Sequence, residues 1–255
     1  MNHRPAVLLA LCMVIGFASG AFADRPNVLM ICIDDLNDWV GCLGGHPDAK
    51  TPHIDALARR GRLFTNAHCV VPVCSPSRVS IMSGVHATTH GSYELGPDYR
   101  TIPKLKGVPT MQAYFKENGY RTLAGGKVLH HGFTGRLADG IDVNIGNRRG
   151  GPRPKEVMNW TKGAWDWGGY PESDEQMFDF QLAQSAASVL QQDQEQPFFL
   201  SVGFFRPHVP MFVPPKWFDM FAEDQIKLPV VPDDDMDDVP PNFQEMPMIA
   251  PTFRE

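Results

Sequence analysis

The sequence predicts an α/β fold in which a mostly parallel, doubly wound sheet carries helices on both faces. Residues 27–33 and 197–205 form continuous apolar runs, as expected for strands buried on both faces of a parallel sheet. Helix signals alternate with these strand patterns, which is typical of parallel strands joined by helical crossovers. The chain of 255 residues, 43% hydrophobic and 20% charged, is long enough for one large domain with its own core.

In the first half of the chain, a strand over residues 27–33 is followed by two predicted helices. The Thr-Pro pair at 51–52 has the residue types of an N-cap and a first helical position, and it predicts a helix that ends at Gly61. Residues 75–82 predict a second helix, with a proline in its first turn.

The second half continues the alternation. Thr110 is expected to cap a helix that Gly119 ends, and residues 120–124 follow as a strand. Residues 174–192 form the longest helical pattern, and the apolar strand over residues 197–205 comes next.

Two segments depart from this regular pattern. Residues 132–171 are rich in Gly, Arg, Pro and Trp, have little periodicity, and predict a long functional insertion. The chain from residue 228 onward is proline-rich and acidic and shows no closing strand or helix. We therefore expect the sequence to be part of a longer protein.

The first 23 residues predict a signal peptide. Arg4 provides a positive start, residues 6–18 are almost wholly apolar, and Ala21-Phe22-Ala23 matches the small-x-small pattern before a cleavage site. The alternative, a membrane anchor, requires about 20 apolar residues, and this run is shorter. The protein is thus expected to be secreted or periplasmic (lysosomal if eukaryotic), with no membrane span after cleavage behind Ala23.

Composition excludes two further classes of protein. The formal net charge of −6 gives no reason to expect nucleic acid as a partner, because phosphate binding needs a basic face. After signal removal, four cysteines remain at positions 32, 42, 69 and 74. Cys32 lies within a strand pattern and Cys74 within a motif described below, so a disulfide scaffold is not expected. Pairing among Cys32, Cys42 and Cys69 stays open.

Polar residues follow three of the predicted strands. Asp34 and Asp35 follow the first strand, residues 127–131 (KVLHH) follow the strand at 120, and residues 206–208 (RPH) follow the strand at 197. In open α/β sheets the active site lies beyond the carboxyl ends of the strands. Two of these strand ends carry cationic residues and one carries two carboxylates, a combination that predicts a site where an anion binds next to a metal ion. The aspartates suit calcium or magnesium, although by themselves they could form a solvated turn.

The segment Cys74-Ser75-Pro76-Ser77-Arg78 resembles the Cys-x-Pro-Ser-Arg signature of the type I sulfatases, whose cysteine is oxidised to formylglycine before folding. The resemblance extends over nearly all of the chain after the signal peptide. The segments that look most like the iduronate-2-sulfatase branch are residues 114–120 (YFKENGY), 126–130 (GKVLH) and 206–210 (RPHVP). The resemblance implies an alkaline-phosphatase-like fold, with residues 24–255 as the N-terminal part of the catalytic domain.

The resemblance also implies a nucleophile and a metal site. Formylglycine at Cys74 would be hydrated, and one hydroxyl, polarised by the metal, would attack sulfur and displace the alcohol; the second would then allow the aldehyde to reform and sulfate to leave. Asp34, Asp35 and residue 74 would bind the cation, calcium in the first instance and magnesium as the alternative. Arg78 lies four residues on, hence on the same helical face, and would stabilise the oxyanion form of the nucleophile.

Three further side chains complete the site that the resemblance implies. Lys127, His130 and His208 would neutralise the sulfate and protonate the leaving oxygen. The pattern Gly-Lys-Val-x-His favours His130 over its neighbour His131, and His208 could instead be a buried core histidine.

The predicted function is therefore hydrolysis of sulfate monoesters on a sulfated sugar or polysaccharide, with a formylglycine-generating or equivalent maturation enzyme as a second partner. One alternative is a phosphate or phosphonate monoester hydrolase of the same superfamily. Another is an inactive fragment or binding remnant, because nothing after His208 matches the family's further metal-binding aspartate and second lysine. For that reason this chain, expressed alone, is expected to have little or no activity.

Overall fold

The computed structural model describes residues 25–96, 98–130, 140–146, 150–156, 158, 165–228 and 230–241. Their main sheet has four parallel strands in the order β1-β5-β2-β3, and a separate parallel pair joins β4 to β6. The strands are β1 (Val28–Ile33), β2 (Arg121–Gly126), β3 (Val143–Gly146), β4 (Trp167–Gly169), β5 (Phe198–Phe204) and β6 (Met211–Val213).

Six α-helices lie among the described residues: α1 (Pro52–Arg60), α2 (Cys74–Ser83), α3 (Ala87–His90), α4 (Met111–Glu117), α5 (Phe178–Gln191) and α6 (Pro215–Phe218). Short 3₁₀ helices cover Tyr99–Thr101, Pro103–Leu105, Asp174–Gln176 and Glu223–Gln225. None of the described helices combines the length and the apolar character needed to cross a bilayer.

The core has two layers, one on each face of the sheet. On one face α5 places Leu182 and Val189 against Leu123, Leu200 and Val202 of the central strands. On the other face Met82 of α2 packs with residues of β2 and of the segment after it, next to α4. The predicted parallel sheet with helices on both faces is confirmed.

Most of the local signals behind the predicted helix boundaries are confirmed, although Thr51 makes no side-chain capping bond at the start of α1. Pro52 is the first residue of α1, and Thr110 accepts the N–H of Ala113 at 3.1 Å as the cap of α4. Gly119 follows α4 with a φ of +82°, a left-handed conformation that favours glycine. The predicted helix over residues 174–192 is divided into a 3₁₀ turn and α5.

One prediction about burial was wrong. Residues 27–33 were expected to be covered on both faces, but β1 lies at an edge of the sheet as described, and Leu29 and Ile31 are 42% and 49% exposed. These side chains share the face of Leu200 and Val202, to which they are paired in register. They stay exposed because α5 packs on β2, β3 and β5.

Several predictions fall partly or wholly outside the described residues. The signal peptide over residues 1–23 and His131 lie outside them, as do parts of the expected insertion over residues 132–171. The four cysteines at positions 32, 42, 69 and 74 lie within the described residues and are free thiols in this structure.

Candidate functional site

The polar residues predicted at three strand ends do meet at one edge of the sheet. Strand β5 lies between β1 and β2, and it fixes both neighbouring strand ends through backbone hydrogen bonds. The N–H of Asp34 donates to the carbonyl of Phe204 at 3.1 Å, and the N–H of Lys127 donates to the carbonyl of Gly203 at 2.7 Å. The carboxyl ends of these parallel strands therefore hold Asp34 and Lys127 close together.

Asp34 is the centre of a buried ion cluster. Its carboxylate accepts a hydrogen bond from Arg78 Nη2 at 2.8 Å and another from Lys127 Nζ. His208 Nε2 lies 3.9 Å from the same carboxylate. Burial by itself would raise the pKa of Asp34, but the hydrogen bonds from Lys127 and Arg78 outweigh that effect and hold the pKa below its usual value.

Two buried cations face this one buried anion. Arg78 and Lys127 are 6% and 1% exposed, and Asp34 is 4% exposed. Formally the cluster has an excess of one positive charge, although the whole chain carries −6. Because buried charges need compensation, this cluster favours an anionic ligand at the edge of the sheet.

Arg78 also holds the chain segment after β2. Its Nη1 donates to the carbonyl of Lys127 and to that of Val128, the latter at 3.2 Å. These contacts join the side chain to Asp34 and to the backbone that carries Lys127, and its expected role beside the nucleophile stays a prediction. Arg78 is thus a structural link between β1, β2 and α2 as well as a charge at the site.

Cys74 is the first residue of α2, and its sulfur lies 3.2 Å from Nδ1 of His130. Its thiol is partly exposed. The first backbone N–H groups of a helix lack intrahelical acceptors and favour negative charge nearby. The structure therefore brings the predicted nucleophile and one predicted proton-transfer group together at a position suited to an anion.

Phe205 connects the two remaining predicted residues. Lys127 Nζ lies 4.7 Å from the centre of the Phe205 ring, and the ring of His208 lies 4.7 Å from it on a tilted plane. His208 Nδ1 is also 2.7 Å from the carbonyl of Val209. The loop after β5 thus positions an aromatic ring between a lysine and a histidine.

Asp179 anchors this loop and is a residue that was not predicted from the sequence. Its carboxylate, in the first turn of α5, accepts backbone N–H groups: that of Gly150, that of Phe205 at both oxygens, and that of Arg206 at 2.8 Å. Burial raises the pKa of Asp179, although the N–H donors of Arg206 and Phe205 oppose the rise. An acidic residue in a first helical turn usually indicates only a favourable helix dipole, so the sequence offered little signal for this contact.

Asp35 stands apart from the buried cluster. It is exposed and has a φ of +63°, whereas the described side-chain contacts of Asp34 are with Arg78, Lys127 and His208. Within the part of the chain that the structure describes, no three carboxylate, imidazole or thiol groups lie close enough to bind a metal ion together. Calcium takes about six to eight oxygen ligands. Asp34 and Asp35 have the right chemistry for it but supply only part of such a set.

Comparison with known proteins agrees with this geometry. The Sulfatase family model matches residues 26–236. A sulfatase from Formosa agariphila is 37% identical over 99% of this chain and 54% of its own length. Human iduronate 2-sulfatase is 32% identical over 89% of this chain and 44% of its own length. The chain thus spans about half the length of these relatives.

A solved structure extends the likeness to the fold. The crystal structure of a putative sulfatase from Bacteroides thetaiotaomicron matches with a TM-score of 0.52 and 26% identity, over 72% of this chain and 36% of that one. The fold is accordingly alkaline-phosphatase-like, as predicted. With a family model that covers most of its length, the chain belongs to the sulfatase family.

Proposed function

We propose that the protein hydrolyses sulfate monoesters with Cys74, converted to formylglycine, as the nucleophile. The observation that carries the proposal is the position of Cys74 at the start of α2, 3.2 Å from His130 and on the helix that bears buried Arg78. The cysteine sulfur marks the position from which the oxygen of the modified side chain would act. Family membership supports the same chemistry.

The charged residues divide the work of binding and proton transfer. Lys127 and Arg78 supply the positive charge that compensates a sulfate group, while Asp34 keeps both cations in place. His130, next to the nucleophile, is placed to move a proton at that atom. His208, held by the loop after β5, is the candidate to protonate the leaving oxygen.

A divalent cation completes the proposal, calcium in the first instance and magnesium as the alternative. Asp34 and Asp35 would provide two of its oxygen ligands, next to residue 74. When bound, the cation would withdraw charge from the sulfate oxygens as a Lewis acid. Asp35→Asn is the direct test because this side chain is exposed, so the fold should tolerate the change. Calorimetric titration with calcium should show weaker binding in the variant than in the parent, and equal affinity would remove Asp35 from the site.

The proposed substrate is a sulfated carbohydrate. Support comes from the 32% identity with human iduronate 2-sulfatase, and a uronic acid 2-sulfate is the specific candidate. We also propose that residues 1–23 direct export and are removed. N-terminal sequencing of the exported protein should begin at Asp24, and a retained Met1 would contradict this.

The central test follows Cys74 itself. The chain is co-expressed with a formylglycine-generating enzyme, and the peptide that contains Cys74 is analysed by mass spectrometry. The thiol mass should be replaced by that of the aldehyde or its hydrate, whereas exposed Cys69 serves as the matched control and should stay unmodified. An unmodified Cys74 under these conditions would overturn the formylglycine proposal.

Turnover provides the second readout. The matured protein is assayed on 4-nitrophenyl sulfate and on 4-nitrophenyl phosphate, and Cys74→Ala should abolish hydrolysis of the sulfate. Faster hydrolysis of the phosphate than of the sulfate would favour the phosphate and phosphonate monoester hydrolases instead. Because the relatives are about twice as long, the mass spectrum is informative even where turnover is low.

A further inference from the structure

The guanidinium group of Arg206 is bonded to backbone carbonyl groups in and beyond the loop after β5. Its Nη1 donates to the carbonyl of His208 at 3.0 Å, and its Nε donates to the carbonyl of Phe212, in β6, at 3.0 Å. A guanidinium group is planar and presents its N–H donors in a fixed fork, so these two bonds set the distance between the two carbonyl groups. Arg206 therefore ties the backbone at His208 to the strand that follows it.

Neighbouring residues hold the Arg206 side chain in this position. The centre of the Phe205 ring lies 5.4 Å from its Cζ atom. A Cβ added at Gly150 would lie 3.3 Å from Cζ and from Nη1, so the chain at Gly150 packs closely against the guanidinium group. Burial lowers the pKa of Arg206, whereas the negative charge of Asp179 opposes that effect. The guanidinium group is thus packed between fixed neighbours, next to an opposite charge.

The backbone that Arg206 holds determines the hydrogen position on the His208 ring. His208 Nδ1 lies 2.7 Å from the carbonyl of Val209. A carbonyl oxygen only accepts hydrogen bonds, so Nδ1 carries a hydrogen atom in this contact, and in the neutral ring Nε2 then carries none. Nε2 lies 3.9 Å from the carboxylate of Asp34. The ring therefore directs Nε2 to the buried cluster, and Nε2 is the nitrogen that can exchange a proton with a ligand there.

We propose that Arg206 is a positioning residue that acts through His208. The inference rests on the proposed function, in which His208 protonates the leaving oxygen. In that step the proton on Nε2 of the charged ring passes to the ester oxygen as the bond between that oxygen and sulfur breaks, and the ring is left neutral with its hydrogen atom on Nδ1. Arg206 keeps the backbone around His208 in place, so the acceptor at Nδ1 and the direction of Nε2 stay fixed.

The first measurement follows the His208 ring and requires no turnover. Protein labelled with 15N-histidine is studied by NMR at a pH at which the imidazole rings are neutral, and the spectrum of His208→Ala identifies the ring nitrogen signals of His208. Arg206→Lys keeps the charge but loses the fork, and Arg206→Gln keeps a single N–H donor group. In both variants the His208 ring should change from one tautomer, with hydrogen on Nδ1, to a mixture of two. The matched control Arg121→Lys removes a guanidinium hydrogen bond to Gln194 at the opposite end of β2 and should leave the His208 signals unchanged. Signals that also stay unchanged in both Arg206 variants would overturn the inference.

The second measurement compares two leaving groups in the matured protein. The phenolate released from phenyl sulfate is a stronger base than 4-nitrophenolate, so its departure depends more on a proton donor. Because a misplaced catalytic group can cost about 10²-fold, Arg206→Lys should reduce kcat/KM for phenyl sulfate about tenfold more than kcat/KM for 4-nitrophenyl sulfate. In a His208→Ala background the same substitution should cause no selective loss. An equal effect on the two esters would show that Arg206 acts only on the fold and would overturn the inference.

The two proposals fail in different experiments. Unchanged His208 ring signals would overturn this inference alone. A Cys74 that the maturation enzyme leaves unmodified would overturn the proposed nucleophile, and the ring measurement would remain valid because it uses the unmodified protein equally well.

Discussion

Gly203 of β5 is the position where a single added methyl group should be most informative about the site. A Cβ at this residue would lie 2.5 Å from the nitrogen of Val128 and even closer to the carbonyl group of Lys127. Ordinary contact begins at 3.4 Å, so the overlap is about 1 Å with backbone atoms that no rotamer change can move. Gly203→Ala must therefore push the Lys127–Val128 backbone away from β5.

This backbone shift should lower the unfolding free energy of the protein. Overpacking typically destabilises by about 1–3 kcal/mol, and a clash with backbone belongs at the upper end, about 3 kcal/mol. Lys127 N would lose its 2.7 Å bond to the Gly203 carbonyl, and Arg78 donates to the same displaced segment. With a urea m value of about 2 kcal/mol/M, the unfolding midpoint should fall by about 1.5 M.

The assay is urea unfolding followed by tryptophan fluorescence, with Gly96→Ala as the matched control. A Cβ at Gly96 would meet nothing closer than 4.0 Å, yet the change removes the same backbone freedom from the unfolded chain. Calorimetric titration with sulfate should also show weaker binding in Gly203→Ala, because Lys127 moves. Midpoints that agree within about 0.3 M for the two variants would refute the reasoning, since the overlap would then cost about 0.6 kcal/mol or less.

Three further predictions concern stability. Asp142→Asn should lower the unfolding free energy by about 1 kcal/mol at neutral pH, a value reduced for partial exposure. Burial would raise the pKa of Asp142, but hydrogen bonds from Lys116 and from neighbouring groups lower it. The difference in unfolding free energy between the parent and Asp142→Asn should therefore be full above the ordinary carboxyl pKa and vanish as pH falls through the lowered pKa of Asp142. A difference that stays constant with pH would contradict this. Ile31→Ala should lower the unfolding free energy by about 1 kcal/mol, and Val202→Ala should lower it by about 2 kcal/mol because Val202 is only 1% exposed. Chemical denaturation measures both values, and a larger loss for Ile31→Ala than for Val202→Ala would show that this face of β1 is covered. Asp179→Asn should lower the unfolding free energy by about 1–3 kcal/mol and speed hydrogen exchange of the backbone amides that the carboxylate binds. Unchanged exchange rates would show that the loop is ordered without this carboxylate.

Local signals made the secondary structure predictable. The N-terminal proline of α1, the threonine cap of α4 and the glycine after it act within one helical turn, and the sequence shows them directly. The apolar runs of β1 and β5 likewise predicted strands within one residue of the observed limits. These features depend on neighbours in sequence, so tertiary contacts had little to add.

The site was predictable as a set of residues but not as a set of contacts. Asp34, Cys74, Lys127 and His208 were identified from strand ends and from the Cys-x-Pro-Ser-Arg motif. The motif could not show that Arg78 would pair with Asp34 and with the backbone after β2. Such pairings join residues 44 and 93 positions apart, and their geometry depends on how the crossovers return the chain to the sheet.

By itself, the sequence determined the order of β1, β2 and β5 and of the helices α1, α2, α4 and α5, the family motif and the strand ends at which charged residues gather. Only the tertiary structure decided that Asp34 is buried between two cations while Asp35 is exposed, and that β1 has an uncovered face. It also revealed Asp179 as the anchor of the loop that carries His208. The physical reason is range: capping and periodicity act over a few residues, whereas burial and ion pairing depend on which distant segments the fold packs together.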